Sequence, residues 1–320
     1  MQRILSPAAL DDLIAAPTAR SELSGLRGDA TIAVDCSSTL PADHTLELLR
    51  TVPVVSIGVG GHHAAFDVVV TGDDDLMSLT TAVDANPLAS VALAQVLRIG
   101  ATTSPLDALV AESLAYATLQ GGPEFARWLA ARGARVRRPA ADPPIKIARA
   151  GDVLQLVLNR PRLHNLYNAA MRDALVDALL VAAADPRLLV EISGAGRSFC
   201  AGGDLAEFGS VSDTTTAHLI RSTANAAPYL LALADRISVS VHGACVGAGI
   251  ELAAFASRVE ATPDAFFQLP EVSMGLIPGA GGTVSVARRI GRQRTAWMAL
   301  SGERVDAATA LDWGLVDAIR

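Results

Sequence analysis

The sequence is poor in aromatic residues, in cysteine and in long apolar segments. Aromatic side chains make up only 4% of the 320 residues, whereas hydrophobic residues make up 51%. The core must therefore consist of Ala, Val and Leu, a composition that suits close helix packing. The three cysteines, Cys36, Cys200 and Cys245, are odd in number and lack C-x-x-C spacing. This pattern indicates neither a disulfide framework nor a zinc site, and we expect a reducing, cytoplasmic environment.

The charge and the missing motifs exclude further classes of function. The net charge of -7 argues against a nucleic-acid partner. No segment approaches the roughly 20 apolar residues of a membrane span, and the N-terminal segment lacks the apolar region of a signal peptide. A P-loop, a strand-led G-x-G-x-x-G and a G-x-S-x-G elbow are all missing, which disfavours nucleoside triphosphates, dinucleotides and serine hydrolysis. The pair His62-His63 has no further ligand at metal-binding spacing, so we interpret it as part of a loop.

The first part of the chain, residues 1–140, has strand patterns followed by helix patterns. Short Val- and Ile-rich segments bounded by Gly, Pro or Asp predict strands, and first-turn prolines support the helices. The predicted strands are 31–35, 52–59 and 66–70, and the predicted helices are 74–84, 87–98, 105–119 and 124–132. This order indicates a small α/β unit with a helical extension. Residues 135–144, rich in Pro and Arg, are predicted to be an exposed linker.

The second part, residues 145–320, alternates strands and helices. The predicted strands are 145–148, 153–158, 188–193 and 237–242, and the predicted helices are 169–183, 213–234 and a series from 283 to the end. Strand, crossover helix and strand repeated in this way predict parallel sheets with right-handed crossovers.

Two carboxylates distinguish the central segment 241–283. Glu251 follows a glycine-rich turn and lies in an otherwise apolar helical run, where an unpaired charge is costly. Glu271 lies in a Pro-Glu loop twenty positions later. Taken singly, Glu271 could belong to a solvated turn and Glu251 could extend its carboxylate to solvent from a helix end. Taken together, between two glycine-rich turns, they favour a functional pair.

Three sequence blocks in order resemble the enoyl-CoA hydratase/isomerase (crotonase) superfamily. They are the central segment with its G-A-G-I-E and P-G-A-G-G motifs, the segment R-S-F-C-A-G-G-D-L at 197–205, and the weaker L-N-R-P at 158–161 followed by Asn165 and Asn168. The resemblance covers about 145–320. It implies a crotonase-like spiral of stacked β-β-α units and hydration of a 2-enoyl-CoA to a 3-hydroxyacyl-CoA by a lyase.

The resemblance also implies roles for individual residues. Glu251 would deprotonate water, Glu271 would protonate the α-carbon, and the backbone N–H groups of Gly203 and Ala248 would form an oxyanion hole. The residues implied in coenzyme A binding are Arg160, Arg162, Leu163, Ala201, Gly202, Asp204 and Leu205. Coenzyme A is part of the substrate, so no metal or redox cofactor is implied. The family also implies a homo-oligomer, either a trimer or a hexamer.

Alternatives stay open at the level of the sequence. The same scaffold could support isomerisation, hydrolysis or cofactor-free oxygenation of an acyl-CoA, or a non-catalytic acyl-CoA-binding subunit. Family members usually continue past a Gly-Leu-Val segment, here 314–316, into helices that close the acyl pocket. Because residues 85–89 resemble the entry to such a late helix, we predict that residues 74–132 pack against the catalytic domain, in the same chain or a neighbouring subunit, and replace these closing helices. The alternative is an independent N-terminal domain on a flexible linker. Residues 52–61 and 66–70 also weakly resemble two strands of the family domain, so residues 1–140 can be interpreted as a degenerate copy of half of that domain.

Overall fold

A computed structural model of the chain describes residues 4–26, 28–133, 142–211 and 213–320. Most of the predicted linker, residues 135–141 of 135–144, lies outside the described residues.

The strands of the described residues form three sheets. In chain order they are β1 (Ile4–Leu5), β2 (Thr31–Asp35), β3 (Val55–Val59), β4 (Val68–Val70), β5 (Ile145–Ala150), β6 (Val153–Leu158), β7 (Leu189–Gly194), β8 (Ile237–Val241), β9 (Ala244–Val246), β10 (Arg258–Ala261), β11 (Phe266–Gln268), β12 (Val305–Asp306) and β13 (Ala318–Ile319).

The α-helices of the same residues surround these sheets. They are α1 (Pro7–Ala15), α2 (Ala19–Glu22), α3 (Asp43–Leu49), α4 (Asp73–Ala85), α5 (Pro87–Gly100), α6 (Pro105–Gln120), α7 (Pro123–Arg132), α8 (Ala169–Ala184), α9 (Thr214–Thr223), α10 (Ala227–Ala232), α11 (Ala248–Ala253), α12 (Gly282–Ile290), α13 (Arg292–Ser301) and α14 (Ala307–Trp313). None of them is long and apolar enough to span a membrane.

The first sheet has the order β1-β2-β3-β4, and all its strands are parallel. The second has the order β13-β10-β8-β7-β6-β5, in which only the β5–β6 pair is antiparallel among the described strands. A third, smaller sheet places β9 beside β11 in parallel and β12 antiparallel to β11. The predicted α/β class with parallel sheets is confirmed.

Local chemistry explains where several helices begin. Ser6 and Ser104 accept hydrogen bonds from backbone N–H groups in the first turns of α1 and α6, and a proline follows each serine. The predicted helix 213–234 is wrong as a single element, because it divides into α9 and α10. Asn225 accepts a hydrogen bond from the N–H of Ala227 at this break, and Pro228 starts a new first turn. The C-terminal series of helices is likewise interrupted by β12 and β13.

The two halves of the chain share one hydrophobic core. Buried residues of α5, such as Leu93 and Leu97, belong to the same cluster as Val284 and Val286 of α12. Helix α6 also packs on α12, α9 and α10, and α4 packs on α13. The helices predicted at 74–132 therefore pack on the second half of the same chain, as expected.

A buried ionic cluster adds a second link between the halves. Asp67, fully buried at the end of the loop before β4, pairs with Arg98 of α5 and with Arg292 at the start of α13, 2.7 Å away. Arg98 also donates to the carbonyl oxygens of Val52 and Val54. One carboxylate thus ties the first sheet to both α5 and α13.

Candidate active site

Glu251 lies in the first turn of the short helix α11 and is only 2% exposed. Its Oε2 atom accepts hydrogen bonds from the backbone N–H groups of Ala280 (2.7 Å) and Gly282 (2.9 Å). A side chain at Gly282 would collide with Glu251, because an added Cβ would lie 2.5 Å from the Glu251 Cγ. The predicted acid therefore faces the glycine-rich loop 279–283, and that loop holds it in place.

Glu271 begins a 3-10 helix, Glu271–Met274, directly after Pro270. Its Oε2 atom is buried and has no hydrogen-bond partner among the described residues. Its Oε1 atom passes over Gly247, where an added Cβ would lie only 2.3 Å away. Gly247 also has a φ of +48°, so the turn before α11 needs glycine both for its backbone and for the approach of this carboxylate.

A third buried carboxylate, Glu112 of α6, holds the other side of the same loop. It is 1% exposed and accepts hydrogen bonds from the N–H of Gly281 (2.8 Å) and from both the N–H and the hydroxyl of Thr283. Successive N–H groups of the loop therefore alternate: those of 280 and 282 point to Glu251, and those of 281 and 283 point to Glu112. Helix α6 thereby fixes the loop that fixes Glu251.

Burial raises the pKa of all three carboxyl groups. Desolvation raises the pKa of Glu271 to about 8 and that of Glu112 to about 7, the latter opposed by its hydrogen bonds from Thr283 and Gly281. Desolvation, followed by the charges of Glu271 and Glu112, raises the pKa of Glu251 well above its usual value, although two N–H donors act in the opposite direction. Burial therefore favours the protonated form of each acid, and the titrations of the three groups are coupled.

Two backbone N–H groups complete this environment. Tyr167 and Gly203 form an isolated β-bridge, in which the N–H of Tyr167 donates to the carbonyl oxygen of Gly202 and the N–H of Asp204 donates to that of Tyr167. The N–H of Gly203 takes no part in this bridge. Ala248 is the first residue of α11, where an N–H has no partner within the helix. Both predicted oxyanion donors are therefore free of these local bonds.

These groups line one cavity of about 370 Å3. Gly203, Ala248, Glu251 and Glu271 all contribute to its wall. Helices α6 and α9 contribute further residues to the wall, including Tyr116, Gln120 and Arg221. The structure thus brings the four predicted catalytic residues together around a space in the usual size range of ligand sites.

The family model described as enoyl-CoA hydratase/isomerase matches residues 148–320. The chain belongs to this family. The match starts at the first strands of the second half and includes every block that carried the resemblance, so this prediction is confirmed.

Curated relatives agree with the assignment to the enoyl-CoA hydratase/isomerase family. The chain is 39% identical over 171 residues to a 2,3-dehydroadipyl-CoA hydratase from Escherichia coli (strain K12), covering 53% of this chain and 66% of the relative. It is 35% identical over 175 residues to a mevalonyl-coenzyme A hydratase from Aspergillus fumigatus, covering 52% and 62%. The chain thus spans about two thirds or less of the length of these relatives.

Solved structures support the fold of this family. An enoyl-CoA hydratase from Mycobacterium smegmatis has a TM-score of 0.51 at 31% identity, over 56% of this chain and 70% of that one. An enoyl-CoA hydratase subunit from Geobacillus kaustophilus HTA426 has a TM-score of 0.51 at 28% identity, over 55% and 68%. The predicted crotonase-like fold of the second half is therefore confirmed.

The residues implied in coenzyme A binding divide into two groups. Asp204 lines the cavity, whereas Arg160, Arg162, Leu163, Ala201, Gly202 and Leu205 lie outside its wall. The buried Arg160 pairs with Asp204 at 2.9 Å, so these two charges hold neighbouring loops of the fold together. Arg162 is exposed. The role of the set in coenzyme A binding stays a prediction of the family resemblance.

Two asparagines of the weakest block have clear structural roles. Asn165, fully buried with a φ of +54°, donates through Nδ2 to the carbonyl oxygens of Ala195, Ser198 and Phe199. Asn168 accepts a hydrogen bond from the N–H of Met171 and caps α8. Asn165 therefore braces the loop that leads to Gly203.

Sequence reasoning missed the contribution of α6. Glu112 and Tyr116 are four residues apart and face the same site, and the ring of Tyr116 packs so closely on Gly279 that a Cβ there would lie 2.4 Å from it. The signal was present, because Glu112 is an acid inside an apolar helical run, as is Glu251. Cys200 and Cys245 are both buried and unpaired, and desolvation raises the pKa of Cys200 to about 12, so its thiol stays protonated near neutral pH.

Proposed function

We propose that this chain hydrates a 2-enoyl-CoA thioester to a 3-hydroxyacyl-CoA. The observation that carries the proposal is the convergence of Glu251 and Glu271 with the N–H groups of Gly203 and Ala248 on one cavity. Several relatives are named as hydratases of CoA thioesters, which supports the same reaction.

In this mechanism, the thioester oxygen accepts hydrogen bonds from the N–H groups of Gly203 and Ala248. These donors stabilise the negative charge that develops on the oxygen as water adds to the β-carbon. Because backbone donors are fixed by the fold, they need little reorganisation during the reaction.

The two acids divide the proton transfers. Glu251 acts in its ionised form, which its two N–H donors favour against the effect of burial on its pKa, and takes a proton from the water while the water oxygen bonds to the β-carbon. Glu271, whose raised pKa of about 8 keeps it protonated near neutral pH, gives its proton to the α-carbon of the enolate. Water is thereby added across the double bond, and the proton held by Glu251 returns to Glu271 through solvent or exchange within the pair. No cofactor takes part.

Substitution of each acid by its amide tests the proposal. We expect Glu251→Gln and Glu271→Gln each to lower kcat for hydration by about 100-fold or more, with little change in acyl-CoA affinity, since amides keep the shape but cannot transfer the proton. The assay follows the absorbance of the conjugated thioester and identifies the product by chromatography. Near-parental turnover in either variant would refute the two-acid assignment.

Product analysis also tests the second candidate, double-bond isomerisation, which the joint hydratase/isomerase description of the family favours. A shifted double bond with no incorporated water would identify isomerisation. A homo-oligomeric state and a cytoplasmic location remain further predictions, and light scattering of the purified chain measures the first.

A further inference from the structure

Arg221 of α9 lines the same cavity as the oxyanion donors and is held by side chains of α6. Its guanidinium stacks 4.5 Å from the centre of the Tyr116 ring, and its Nη1 atom donates to Gln120 Oε1 at 3.1 Å. Tyr116 and Gln120 are one helical turn apart, so a single face of α6 orients this cation. Such a guanidinium is preorganised before any ligand arrives.

The remaining donors of Arg221 are not used. Nε and Nη2 are buried and have no hydrogen-bond partner among the described residues, and no described carboxylate forms an ion pair with the guanidinium. Leaving charged donors buried and unpaired is costly, and burial correspondingly lowers the pKa of Arg221. The cost is recovered if a bound molecule supplies the acceptor.

Apart from the proposed catalytic pair, Glu251 and Glu271, the other charged groups of the wall already have partners. Arg172 donates to Asp173 at 2.7 Å, Asp204 pairs with Arg160, and Glu207 accepts a hydrogen bond from the N–H of Ala169. Arg221 therefore stands out in this cavity as a cation with two free donors.

We propose that the acyl group of the substrate carries a carboxylate at its far end and that Arg221 binds it. The inference rests on the proposed function, because it takes the thioester end of the substrate to lie at Gly203 and Ala248. The Nε and Nη2 donors share one edge of the guanidinium, which matches the two oxygens of a carboxylate in a bidentate pair. The substrate class is thus the mono-CoA thioester of an unsaturated dicarboxylic acid.

A competing explanation is that Arg221 only balances the charge of the three buried glutamates, since Glu112 and Arg221 interact electrostatically. That role would affect every substrate equally. Binding of a terminal carboxylate affects only substrates that carry one, so the ratio between two matched substrates separates the explanations.

The experiment compares 2-hexenoyl-CoA with the mono-CoA thioester of 2-hexenedioic acid, which differ only in the terminal carboxylate. For the purified parental protein we expect kcat/KM to be at least about tenfold higher for the dicarboxylic substrate, the range of a charge-assisted hydrogen-bond pair. In Arg221→Gln this preference should disappear, with activity on 2-hexenoyl-CoA changed much less. The matched control is Arg172→Gln, in which the preference should remain, because the charge of Arg172 is already paired.

The possible outcomes test the carboxylate-binding role of Arg221 separately from the hydration reaction. Equal kcat/KM values for the two thioesters in the parental protein, or equal losses on both in Arg221→Gln, would overturn the proposal. If Arg221→Gln does not fold, Arg221→Lys, which keeps the charge but not the two-donor edge, should show a reduced preference. If the protein hydrates neither thioester, calorimetry with the saturated hexanoyl-CoA and adipoyl-CoA decides: tighter binding of adipoyl-CoA would keep the subsite and reject the hydration, and equal affinity would reject the subsite.

Discussion

Replacing Glu112 by glutamine tests whether α6 supports catalysis through the loop 279–283. Glu112 accepts three hydrogen bonds from Gly281 and Thr283, all in buried surroundings. The amide of glutamine has one acceptor oxygen, and its NH2 group would face N–H donors. At least one bond to a charged acceptor is lost.

The expected magnitude follows from these bonds. A hydrogen bond to a charged group contributes about 1.5–3 kcal/mol, so we expect Glu112→Gln to lower the free energy of unfolding by about 2 kcal/mol. Because Ala280 and Gly282 of the same loop hold Glu251, a shift of the loop displaces that carboxylate as well. We expect kcat/KM for enoyl-CoA hydration to fall by roughly 10- to 100-fold.

Glu124→Gln is the matched control. Glu124 is also a buried carboxylate of the first half, 5% exposed, and accepts hydrogen bonds from the N–H groups of Leu88 and Ala89. Its side chain caps α5 and does not line the cavity. Chemical denaturation should show that Glu124→Gln lowers the free energy of unfolding by a similar amount, while kcat/KM of the folded variant stays within about twofold of the parental value. Parental kcat/KM in Glu112→Gln, or equal kinetic losses in both variants, would refute the reasoning.

Three further predictions concern pH and packing. Glu271 keeps its proton in the folded protein up to about pH 8 but releases it near 4.5 when unfolded, so its contribution to stability is complete below pH 4.5 and is lost as the pH rises to 8. The decrease in the free energy of unfolding over this range should therefore be smaller in Glu271→Gln than in the parental protein, by at most about 5 kcal/mol, while the part due to Glu112 and Glu251 remains; an equal decrease in both proteins would contradict the raised pKa of Glu271. Asp67→Asn leaves two buried arginines without a counter-charge and should lower the free energy of unfolding by about 3–5 kcal/mol, and a loss below 1 kcal/mol would contradict the buried cluster. Gly247→Ala should lower kcat at least about tenfold while circular dichroism stays native, because the new methyl group displaces Glu271; unchanged kcat would exclude this contact.

The sequence predicted the elements of the chain better than it predicted their assembly. The predicted helices 87–98 and 105–119 differ from α5 and α6 by at most two residues at either end, because prolines mark their starts and apolar periodicity continues to their ends. Helices α1 and α3 were missed, although Ser6 and Pro7 form a recognisable start signal for α1. The family motifs located the four residues that the structure brings to one cavity.

The remaining part of the site depends on tertiary contacts that no local pattern encodes. Glu112 resembles any acid in an apolar helix until α6 packs against α12, and Arg221 resembles a surface arginine until Tyr116 covers it. The ion pair between Arg160 and Asp204 is another contact that no local pattern encodes, because the two residues are 44 positions apart in the chain. Long-range packing decides which charged residues become buried, and only burial reveals which of them lack partners.

The alternating hydrogen bonds of the loop 279–283 have a consequence for the order of folding. The bonds from Gly281 and Thr283 to Glu112 join residues 169 and 171 positions apart in the chain. Contacts of such separation close large loops and form late in folding. We therefore expect that, during refolding from denaturant, enzymatic activity returns only with the slowest structural phase, after most helical signal has recovered.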